Sequence, residues 1–428
     1  MTTFFVQNFG CRASQADGAA IEVLLRQQGL AAAATRAQAE LVVLNSCTVT
    51  AGADADVRQA IRRARRDNPA ARVMVTGCYA QRAPQEIAGL PGVEWVVGNS
   101  HKAEIPNLVS DPSYHGGIHA GAFTTQMFSV PEMHAGTDRA RPNLKIQDGC
   151  HNRCSFCIIP SVRGPNRFAP ADQIVQQVRQ LAGTYREVVL TGINLGRWGR
   201  EAFSEMRLVD LLRRLLDETS IDRLRLSSVE PMDFSDALLQ LMSESPRIAP
   251  HVHAPLQSGS DFILRQMHRK YRPQHYADRV LKARRLMPTA AIGADVMVGF
   301  PGETDGHFEE SKAFIEALPF TYLHVFTYSE RPGTPAAALP GAVPMQQRRE
   351  RNQILREVAE RKNREFRLSQ LGTMVHAVTL ETPGLGMSGN YLTVELNQWP
   401  GANRMVQARV GTLTQLGVRE QSLLPVLG

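Results

Sequence analysis

The stretch KIQDGCHNRCSFCIIPSVRG, residues 145–164, places three cysteines within eight residues. They are Cys150, Cys154 and Cys157, with the spacing C-x3-C-x2-C. The overlapping segment NLKIQDG is typical of a strand, so the cysteines lie in the loop that follows it. Thiolates are preferred ligands of zinc, copper(I) and iron–sulfur clusters. The stretch therefore predicts a metal or cluster site at the carboxyl end of a strand.

Five further apolar segments follow this loop and alternate with helical patterns. They are EVVLTGI, DRLRLSSVE, HVHAPLQS, AIGADVMVGF and LHVFTYS. Strands that alternate with helices are expected to be parallel and joined by right-handed crossovers. Residues 136–367 are therefore predicted to form a partial (βα)6 barrel, with its site at the carboxyl ends of the strands.

The first part of the chain, residues 1–110, shows the same alternation and is predicted to be a separate parallel βα domain. Cys11, Cys47 and Cys78 each come at the end of a predicted strand. Because the carboxyl ends of parallel strands share one edge of a sheet, these thiols are expected to meet. The alternative is that they are small buried apolar side chains. The helix after the first strand is predicted to have Ser14 as its N-cap.

Two other regions complete the predicted organisation. Residues 111–135 are interpreted as a linker that could cross the site. After a long helix at 345–370, residues 368–428 alternate with Gly and Pro turns and are predicted to form a small β-barrel. This barrel carries three Arg and three Glu, so it cannot bind RNA by charge alone. Tyr391 and Trp399 could stack on bases or pack in the core.

The composition is ordinary for a soluble globular protein. Hydrophobic residues make up 43% and charged residues 21% of the chain. No apolar run approaches the ~18 residues of a membrane span, and the N-terminus lacks an export signal. We therefore expect a cytoplasmic protein with reduced thiols and no membrane partner. The net charge of +7 permits a polyanionic partner without requiring one.

Spacing alone leaves the kind of metal site open. A structural zinc ion would need a fourth ligand, which His151 or His115 could supply. A cluster of four irons bound by three thiolates would instead leave one iron open to an exogenous ligand. The zinc interpretation would suit a non-catalytic RNA-binding protein, whereas the cluster interpretation predicts an enzyme.

Longer motifs resemble a known family. CHNRCSFC, with Phe156 before the last cysteine, resembles the signature of the radical S-adenosylmethionine superfamily. NSCTVTAGADADVRQAIRRARRDNPAARVMVTGCYAQ resembles the N-terminal domain of the methylthiotransferases, and SGNYLTVEL resembles the TRAM domain, a small RNA-associated β-barrel. The resemblance covers almost the whole chain. Thr48, Val49 and Thr50, together with LTGINLG, are most similar to the branch that acts on N6-threonylcarbamoyladenosine in tRNA.

The resemblance implies two 4Fe–4S clusters and S-adenosylmethionine as cofactors. Cys150, Cys154 and Cys157 would hold the radical cluster, whose open iron binds S-adenosylmethionine. Cys11, Cys47 and Cys78 would hold an auxiliary cluster. No catalytic residue beyond these ligands is implied, because the reacting C–H bond has no useful acidity. Five residues at the mouth of the barrel are predicted to bind S-adenosylmethionine: Thr191, Gly192, Asn194, Glu230 and Gln257.

The implied reaction is methylthiolation of C2 of N6-threonylcarbamoyladenosine next to the anticodon, which gives 2-methylthio-N6-threonylcarbamoyladenosine. The alternative within the same chemistry is action on isopentenyladenosine in tRNA or on a ribosomal protein. The implied partners are tRNA and an electron donor of the reductase or flavodoxin type. The sulfur could come from a sacrificed cluster or from an external donor.

Overall fold

The computed structural model describes residues 1–110, 116–123, 140–200 and 205–422. A six-stranded, wholly parallel sheet of order β2-β1-β3-β4-β5-β6 forms the N-terminal part. Its strands are β1 (Thr3–Asn8), β2 (Ala31–Ala32), β3 (Leu41–Ser46), β4 (Arg72–Gly77), β5 (Val93–Gly98) and β6 (Gly117–His119). Its helices are α1 (Arg12–Gln27), α2 (Ala51–Asp67), α3 (Cys78–Arg82), α4 (Pro84–Ala88) and α5 (Ile105–Ser110). The predicted parallel βα fold is confirmed.

Burial explains why these segments pair as they do. Every residue of β3 is buried, as expected for a central parallel strand that is covered by helices on both faces. Thr50 caps α2 by accepting a hydrogen bond from the backbone N–H of Ala53 at 3.2 Å. The predicted cap at Ser14 is wrong, because α1 already begins after Cys11. The Ser14 hydroxyl lies in the first turn and accepts a hydrogen bond from buried Arg163 at 3.1 Å.

Part of the predicted linker extends the N-terminal sheet. Most of residues 111–135 lies outside the described residues, and so does His115, one of the two candidate zinc ligands. The described segment 116–123 includes β6, which pairs in parallel with β5. Its end reaches the chain just after the loop that carries the C-x3-C-x2-C motif. There the Cζ atom of Arg167 lies 4.9 Å from the ring centre of Phe123.

Six parallel strands form the central part, in two three-stranded sheets of order β11-β10-β7 and β12-β13-β14. A backbone hydrogen bond of 2.8 Å from Ala249 to Leu224 joins the two sheets. The strands are β7 (Asn143–Lys145), β10 (Glu187–Thr191), β11 (Arg223–Leu226), β12 (His251–His253), β13 (Ala291–Val298) and β14 (Tyr322–Thr327). A short hairpin, β8 (Gln147–Asp148) and β9 (Arg167–Phe168), encloses the cysteine loop. The predicted partial barrel is confirmed.

Helices cover the outside of this barrel and bury its apolar core. They are α6 (Ile159–Arg163), α7 (Ala171–Ala182), α8 (Leu208–Glu218), α9 (Asp236–Glu244), α10 (Asp261–Gln266), α11 (Pro273–Leu286), α12 (Asp305–Ala317) and α13 (Met345–Ser369). Helix α8 illustrates the pattern, since Leu208, Leu211, Leu212 and Leu215 are all buried on one face. None of the helices in the described residues is both long and apolar enough to cross a membrane.

A closed five-stranded barrel of order β15-β16-β17-β19-β18 ends the described chain, as predicted. Its strands are β15 (Met374–Thr379), β16 (Leu385–Ser388), β17 (Thr393–Glu395), β18 (Met405–Leu413) and β19 (Val418–Glu420). Two buried arginines of β11 dock it onto the central barrel. Arg225 donates to the carbonyls of Ser388 and Gly389 at 2.8 and 3.0 Å, and Arg223 donates to that of His376 at 2.8 Å.

Buried charge also joins the N-terminal sheet to the central barrel. The Asp17 carboxylate on α1 forms ion pairs with Lys102 at 2.8 Å, with Arg163 at 3.1 Å and, more closely still, with Lys145. Arg163 bridges onward to Asp148 at 2.9 Å. Burial alone would raise the pKa of Asp17, but these three cations hold it well below its ordinary value. The two parts therefore meet across a satisfied ionic network rather than an apolar surface alone.

Candidate active site

Three cysteines converge at the carboxyl edge of the N-terminal sheet, and we call them the strand-end triad. Cys47 directly follows β3, Cys78 directly follows β4 as the first residue of α3, and Cys11 precedes α1 just after β1. Strands β1, β3 and β4 are neighbours in the sheet. Cys47 and Cys78 are buried, whereas Cys11 is exposed. The predicted meeting of these thiols at one edge agrees with this topology.

The backbone before Cys11 is shaped to let Cys47 approach. Gly10 has a φ of +91°, a conformation that favours glycine. A Cβ atom at this position would lie 2.7 Å from the Cβ and 2.8 Å from the Sγ of Cys47. Only glycine therefore fits at this position without moving Cys47.

One side-chain nitrogen donor, Asn99 just after β5, faces the strand-end triad. The Asn99 amide nitrogen lies 3.4 Å from the Sγ of Cys78 and also donates to the carbonyl of Val162 on α6 at 2.7 Å. Burial raises the pKa of the Cys47 thiol to about 11. The unliganded thiol is therefore protonated at neutral pH, and a bound metal would have to displace its proton.

The second set, the loop triad, consists of Cys150, Cys154 and Cys157 between β8 and α6. The loop is held by backbone hydrogen bonds of 3.1 Å from Cys150 to Gly164 and from Ser155 to Met267. Burial raises the pKa of Cys150 and raises that of Cys157 to about 12. Like Cys47, Cys150 and Cys157 are protonated at neutral pH in the absence of metal.

A cationic side chain that the sequence pattern did not indicate contacts the loop triad. Arg269 is buried and donates to the Sγ of Cys154 at 3.2 Å. The same guanidinium forms a close ion pair with Glu230. Burial raises the pKa of Glu230 even though Arg269 opposes the shift. The arginine lies in the stretch HRKY between α10 and α11, and no spacing rule connects it to a cysteine loop more than one hundred residues earlier.

One cavity of about 460 Å³ joins the two triads. Cys11 lines it together with all three cysteines of the loop triad, whereas Cys47 and Cys78 are not among its lining residues. The central barrel contributes His253 and Asp295, and the C-terminal barrel contributes Tyr391. The cavity therefore receives side chains from all three parts of the chain.

Four of the five residues predicted to bind S-adenosylmethionine line this cavity: Thr191, Gly192, Glu230 and Gln257. The fifth, Asn194, lies behind the loop triad, where its amide nitrogen is 3.6 Å from the Sγ of Cys150. Gln257 has a φ of +65°, and its buried side-chain oxygen has no hydrogen-bond partner among the described residues. Such an unpartnered atom is available to a ligand. The assignment of these five residues to S-adenosylmethionine stays a prediction.

Asp295 on β13 lies between two imidazoles at the mouth of the barrel. Its carboxylate is 3.3 Å from Nε2 of His253 and 3.1 Å from Nδ1 of His324. Burial alone would raise the pKa of Asp295, but the two neighbouring histidines hold it below its ordinary value. These contacts fix the orientation of both rings.

Tyr391 shows that the C-terminal barrel contributes to the cavity. It lies between β16 and β17 with a φ of +63°, and its ring stacks on His251 at a centroid distance of 4.5 Å. Trp399, in contrast, donates its indole N–H to the carbonyl of Leu380 within the barrel at 3.2 Å. Of the two aromatics named as candidates for base stacking, only Tyr391 lies in the cavity.

The residues present fit iron–sulfur clusters. Each triad offers three soft sulfur donors, and N–H groups of Asn99, Asn194 and Arg269 lie 3.2–3.6 Å from one sulfur of a triad. Such donors stabilise the negative charge of a thiolate-bound cluster. A structural zinc site would need a fourth ligand. His151 is exposed beside Cys150 and does not line the cavity.

Models of two protein families match the chain. The radical SAM superfamily matches residues 144–315, and a family described as uncharacterized protein family UPF0004 matches residues 3–98. The first match spans the loop triad and most of the central barrel. The second spans the strand-end triad.

Several curated proteins are similar to this chain over most of their length. A threonylcarbamoyladenosine tRNA methylthiotransferase MtaB from Aquifex aeolicus is 36% identical over 94% of this chain and 99% of its own. One of the same name from Bacillus subtilis is 37% identical over 86% of this chain and 82% of its own. A tRNA-2-methylthio-N(6)-dimethylallyladenosine synthase from Thermobifida fusca is 33% identical over 89% of this chain and 78% of its own.

A solved structure shares the fold. The radical S-adenosylmethionine methyltransferase TsrM from Kitasatospora setae, with cobalamin and a [4Fe-4S] cluster bound, superposes with a TM-score of 0.59. The match covers 79% of this chain and 77% of that one, at 17% sequence identity. At this identity the likeness extends to the fold alone.

Proposed function

We propose, from the premise that this chain belongs to the methylthiotransferase family of radical S-adenosylmethionine enzymes, that it methylthiolates C2 of N6-threonylcarbamoyladenosine in tRNA. As a tRNA methylthiotransferase it uses S-adenosylmethionine and two 4Fe–4S clusters. The choice of nucleoside is supported by relatives named for threonylcarbamoyladenosine, at 36% and 37% identity. The proposed product is 2-methylthio-N6-threonylcarbamoyladenosine next to the anticodon.

The observation that carries the proposal is a cavity lined by Cys11 of the strand-end triad and by all three cysteines of the loop triad. We propose that the loop triad holds the radical cluster and that the strand-end triad holds the auxiliary cluster. With S-adenosylmethionine, the radical cluster supplies the one-electron chemistry that breaks a C–H bond of negligible acidity. A substrate in a cavity of about 460 Å³ that both triads border can face both cofactors without leaving the protein.

The protein side chains position the reactants and exclude water. Thr191, Gly192 and Gln257 are proposed to bind S-adenosylmethionine beside the loop triad, where they line the cavity. Arg269 would hold Glu230 toward the same ligand while its N–H group stabilises the sulfur of Cys154. Asn194 would act through Cys150 rather than by direct contact with the ligand. Tyr391, which lines the cavity with its ring stacked on buried His251, offers an aromatic surface for a base.

Val49 and Thr48, from the motif that resembles the proposed branch, differ in their surroundings. Val49 is 49% exposed and lines the cavity, so it is free to contact a substrate. Thr48 is buried, and its hydroxyl donates to Asp54 at 2.6 Å. Arg331, from the segment after β14, donates to the same hydroxyl at 3.1 Å. Thr48 therefore supports the contact between the N-terminal sheet and the central barrel.

Analysis of tRNA nucleosides tests the substrate. In a strain lacking this gene, mass spectrometry should show loss of 2-methylthio-N6-threonylcarbamoyladenosine and accumulation of its unmethylthiolated precursor. The isopentenyladenosine derivatives in the same digest serve as the control and should not change. An unchanged threonylcarbamoyl product together with a missing methylthio-isopentenyl product would instead identify the alternative substrate, as in the Thermobifida fusca relative.

The partners follow from this proposal. A tRNA substrate implies a cytoplasmic enzyme. The radical chemistry requires an electron donor, for which a reductase or flavodoxin is proposed, and the transferred sulfur requires either a sacrificed cluster or a separate donor.

Gly10 provides a test of the strand-end triad that leaves every cysteine in place. Gly10→Ala is expected to displace Cys47, and so to lower the iron content of anaerobically prepared protein from about eight toward about four per chain. Gly29→Ala is the matched control, because Gly29 has a φ of +85° but open space around a Cβ. Gly29→Ala should strain the backbone about as much as Gly10→Ala does and should leave the iron content unchanged. Equal iron content in the two variants would argue against Cys47 as a ligand.

A further inference from the structure

Arg12 presents a guanidinium without an acidic partner to the cavity. It is the first residue of α1, directly after Cys11, and is half-buried. Its Nη2 donates to the hydroxyl of Tyr391 at 3.1 Å, and its Cζ lies 6.0 Å from the centre of that ring. No carboxylate within residues 1–110, 116–123, 140–200 and 205–422 forms an ion pair with it.

The surroundings of Arg12 carry excess positive charge. Three arginines, Arg141, Arg223 and Arg225, share the single buried carboxylate of Glu187 at 2.7–3.3 Å. One carboxylate cannot neutralise three guanidinium groups. An anionic group that entered here would therefore be attracted by Arg12 and by this unbalanced cluster behind it.

A cluster of three rings, in which Tyr322 and Tyr391 lie 5.4 Å apart between centroids, begins where Arg12 contacts Tyr391. Tyr391 stacks on His251, and His251 lies nearly parallel to Tyr322 at a centroid distance of 5.9 Å. Burial, together with the positive charge of Arg225, lowers the pKa of His251 well below its ordinary value, so this ring is neutral. Its Nδ1 atom is buried and has no hydrogen-bond partner among the described residues. The cluster thus combines an aromatic surface, an unpartnered polar atom and the cation of Arg12 at the hydroxyl of Tyr391.

We propose that Arg12 binds the carboxylate of the threonylcarbamoyl group and thereby selects this nucleoside. The inference rests on the proposed function and names the group that confers its specificity. The adenine would lie against the ring of Tyr391, which His251 supports from behind, and the carboxylate would pair with the guanidinium of Arg12. An isopentenyl group carries no charge and no hydrogen-bond acceptor. It would displace the water bound to the Arg12 guanidinium without replacing those hydrogen bonds, and this cost disfavours that substrate.

Binding of short RNA hairpins tests this proposal. The probes are one anticodon stem-loop with N6-threonylcarbamoyladenosine at the modified position and one with plain adenosine there. Wild-type protein, prepared anaerobically with its clusters, should bind the first at least about 10-fold more tightly, the size expected for a charged hydrogen bond. Arg12→Gln should remove this preference and leave the affinity for the adenosine hairpin unchanged. Arg12→Lys should retain part of the preference.

Control variants separate recognition of the threonylcarbamoyl carboxylate from contact with the RNA phosphates. Arg26→Gln removes an exposed arginine from the opposite end of α1 and should preserve the full preference. If Arg12→Gln weakened binding of both hairpins equally, Arg12 would be a phosphate contact and the proposal would fail. It would also fail if Arg12→Gln changed neither affinity. Tyr391→Phe, which deletes only the hydroxyl that holds the guanidinium, provides a second variant and should reduce the preference partially.

The outcome also distinguishes this inference from the function on which it rests. If wild-type enzyme methylthiolates the threonylcarbamoyl hairpin and Arg12→Gln retains the binding preference, only the role of Arg12 is overturned. If wild-type enzyme does not modify that hairpin but modifies an isopentenyladenosine hairpin, the proposed substrate is itself wrong.

Discussion

Replacing Cys150, Cys154 or Cys157 by alanine is expected to abolish reductive cleavage of S-adenosylmethionine. Each substitution removes one of the three sulfur ligands of the loop triad, and two thiolates do not hold a 4Fe–4S cluster of this kind in place. Under anaerobic conditions with a chemical reductant, formation of 5′-deoxyadenosine should fall to the level of a reaction without enzyme. Liquid chromatography of the quenched reaction measures this product directly.

The strand-end triad should behave differently. Alanine at Cys11, Cys47 or Cys78 is expected to preserve 5′-deoxyadenosine formation but to stop the appearance of methylthiolated tRNA. Ser161→Ala is a suitable control near the loop triad, since Ser161 is exposed and its hydroxyl only caps the carbonyl of Ile158. Equal loss of cleavage in both sets of cysteine variants would contradict this division of labour.

Among the substitutions proposed for this chain, Asp17→Asn is expected to lower the free energy of unfolding most. The substitution leaves Lys102, Lys145 and Arg163 facing one another without their shared carboxylate in a buried position. Removing one partner of a buried ion pair lowers the free energy of unfolding by about 3–5 kcal/mol, because the remaining charge stays buried without a partner. Denaturant unfolding followed by circular dichroism should show this loss, and the junction of the N-terminal sheet with the central barrel should become more sensitive to protease.

The control and the pH dependence follow from the same charges. Asp67→Asn removes an ion pair with Arg36 at the surface and should change the stability little. The cations around Asp17 depress its pKa, so its stabilising contribution is present at neutral pH and is lost as the pH falls through that lowered pKa. Equal unfolding midpoints for the two variants would show that the buried network does not hold the parts together.

The sequence predicted the elements that local patterns determine. Apolar strands that alternate with helices were sufficient to predict both parallel βα regions, and the Gly and Pro turns were sufficient to predict the terminal barrel. Cys47 and Cys78 directly follow strands, as the pattern indicated. The position of a cysteine relative to a buried strand is a local property, and the shared edge of a parallel sheet then brings distant thiols together.

Contacts between distant segments could not be predicted in this way. Arg269 reaches Cys154, and Tyr391 reaches the cavity, only because the barrel and its terminal domain dock as they do. Ser14 satisfied the local rule for a helix cap, yet the helix starts earlier and the serine hydroxyl bonds to Arg163 from another part of the chain. A tertiary contact outweighed the local preference at this position.

The central claim is that two sets of three cysteines each hold one 4Fe–4S cluster around a common cavity. Iron and acid-labile sulfide analysis, combined with Mössbauer spectroscopy, tests it on anaerobically prepared wild-type protein and on a variant with alanine at Cys11, Cys47 and Cys78. The account predicts about eight irons per wild-type chain and about four in the variant, all in 4Fe–4S clusters. Zinc without acid-labile sulfide, or the same iron content in both proteins, would contradict it.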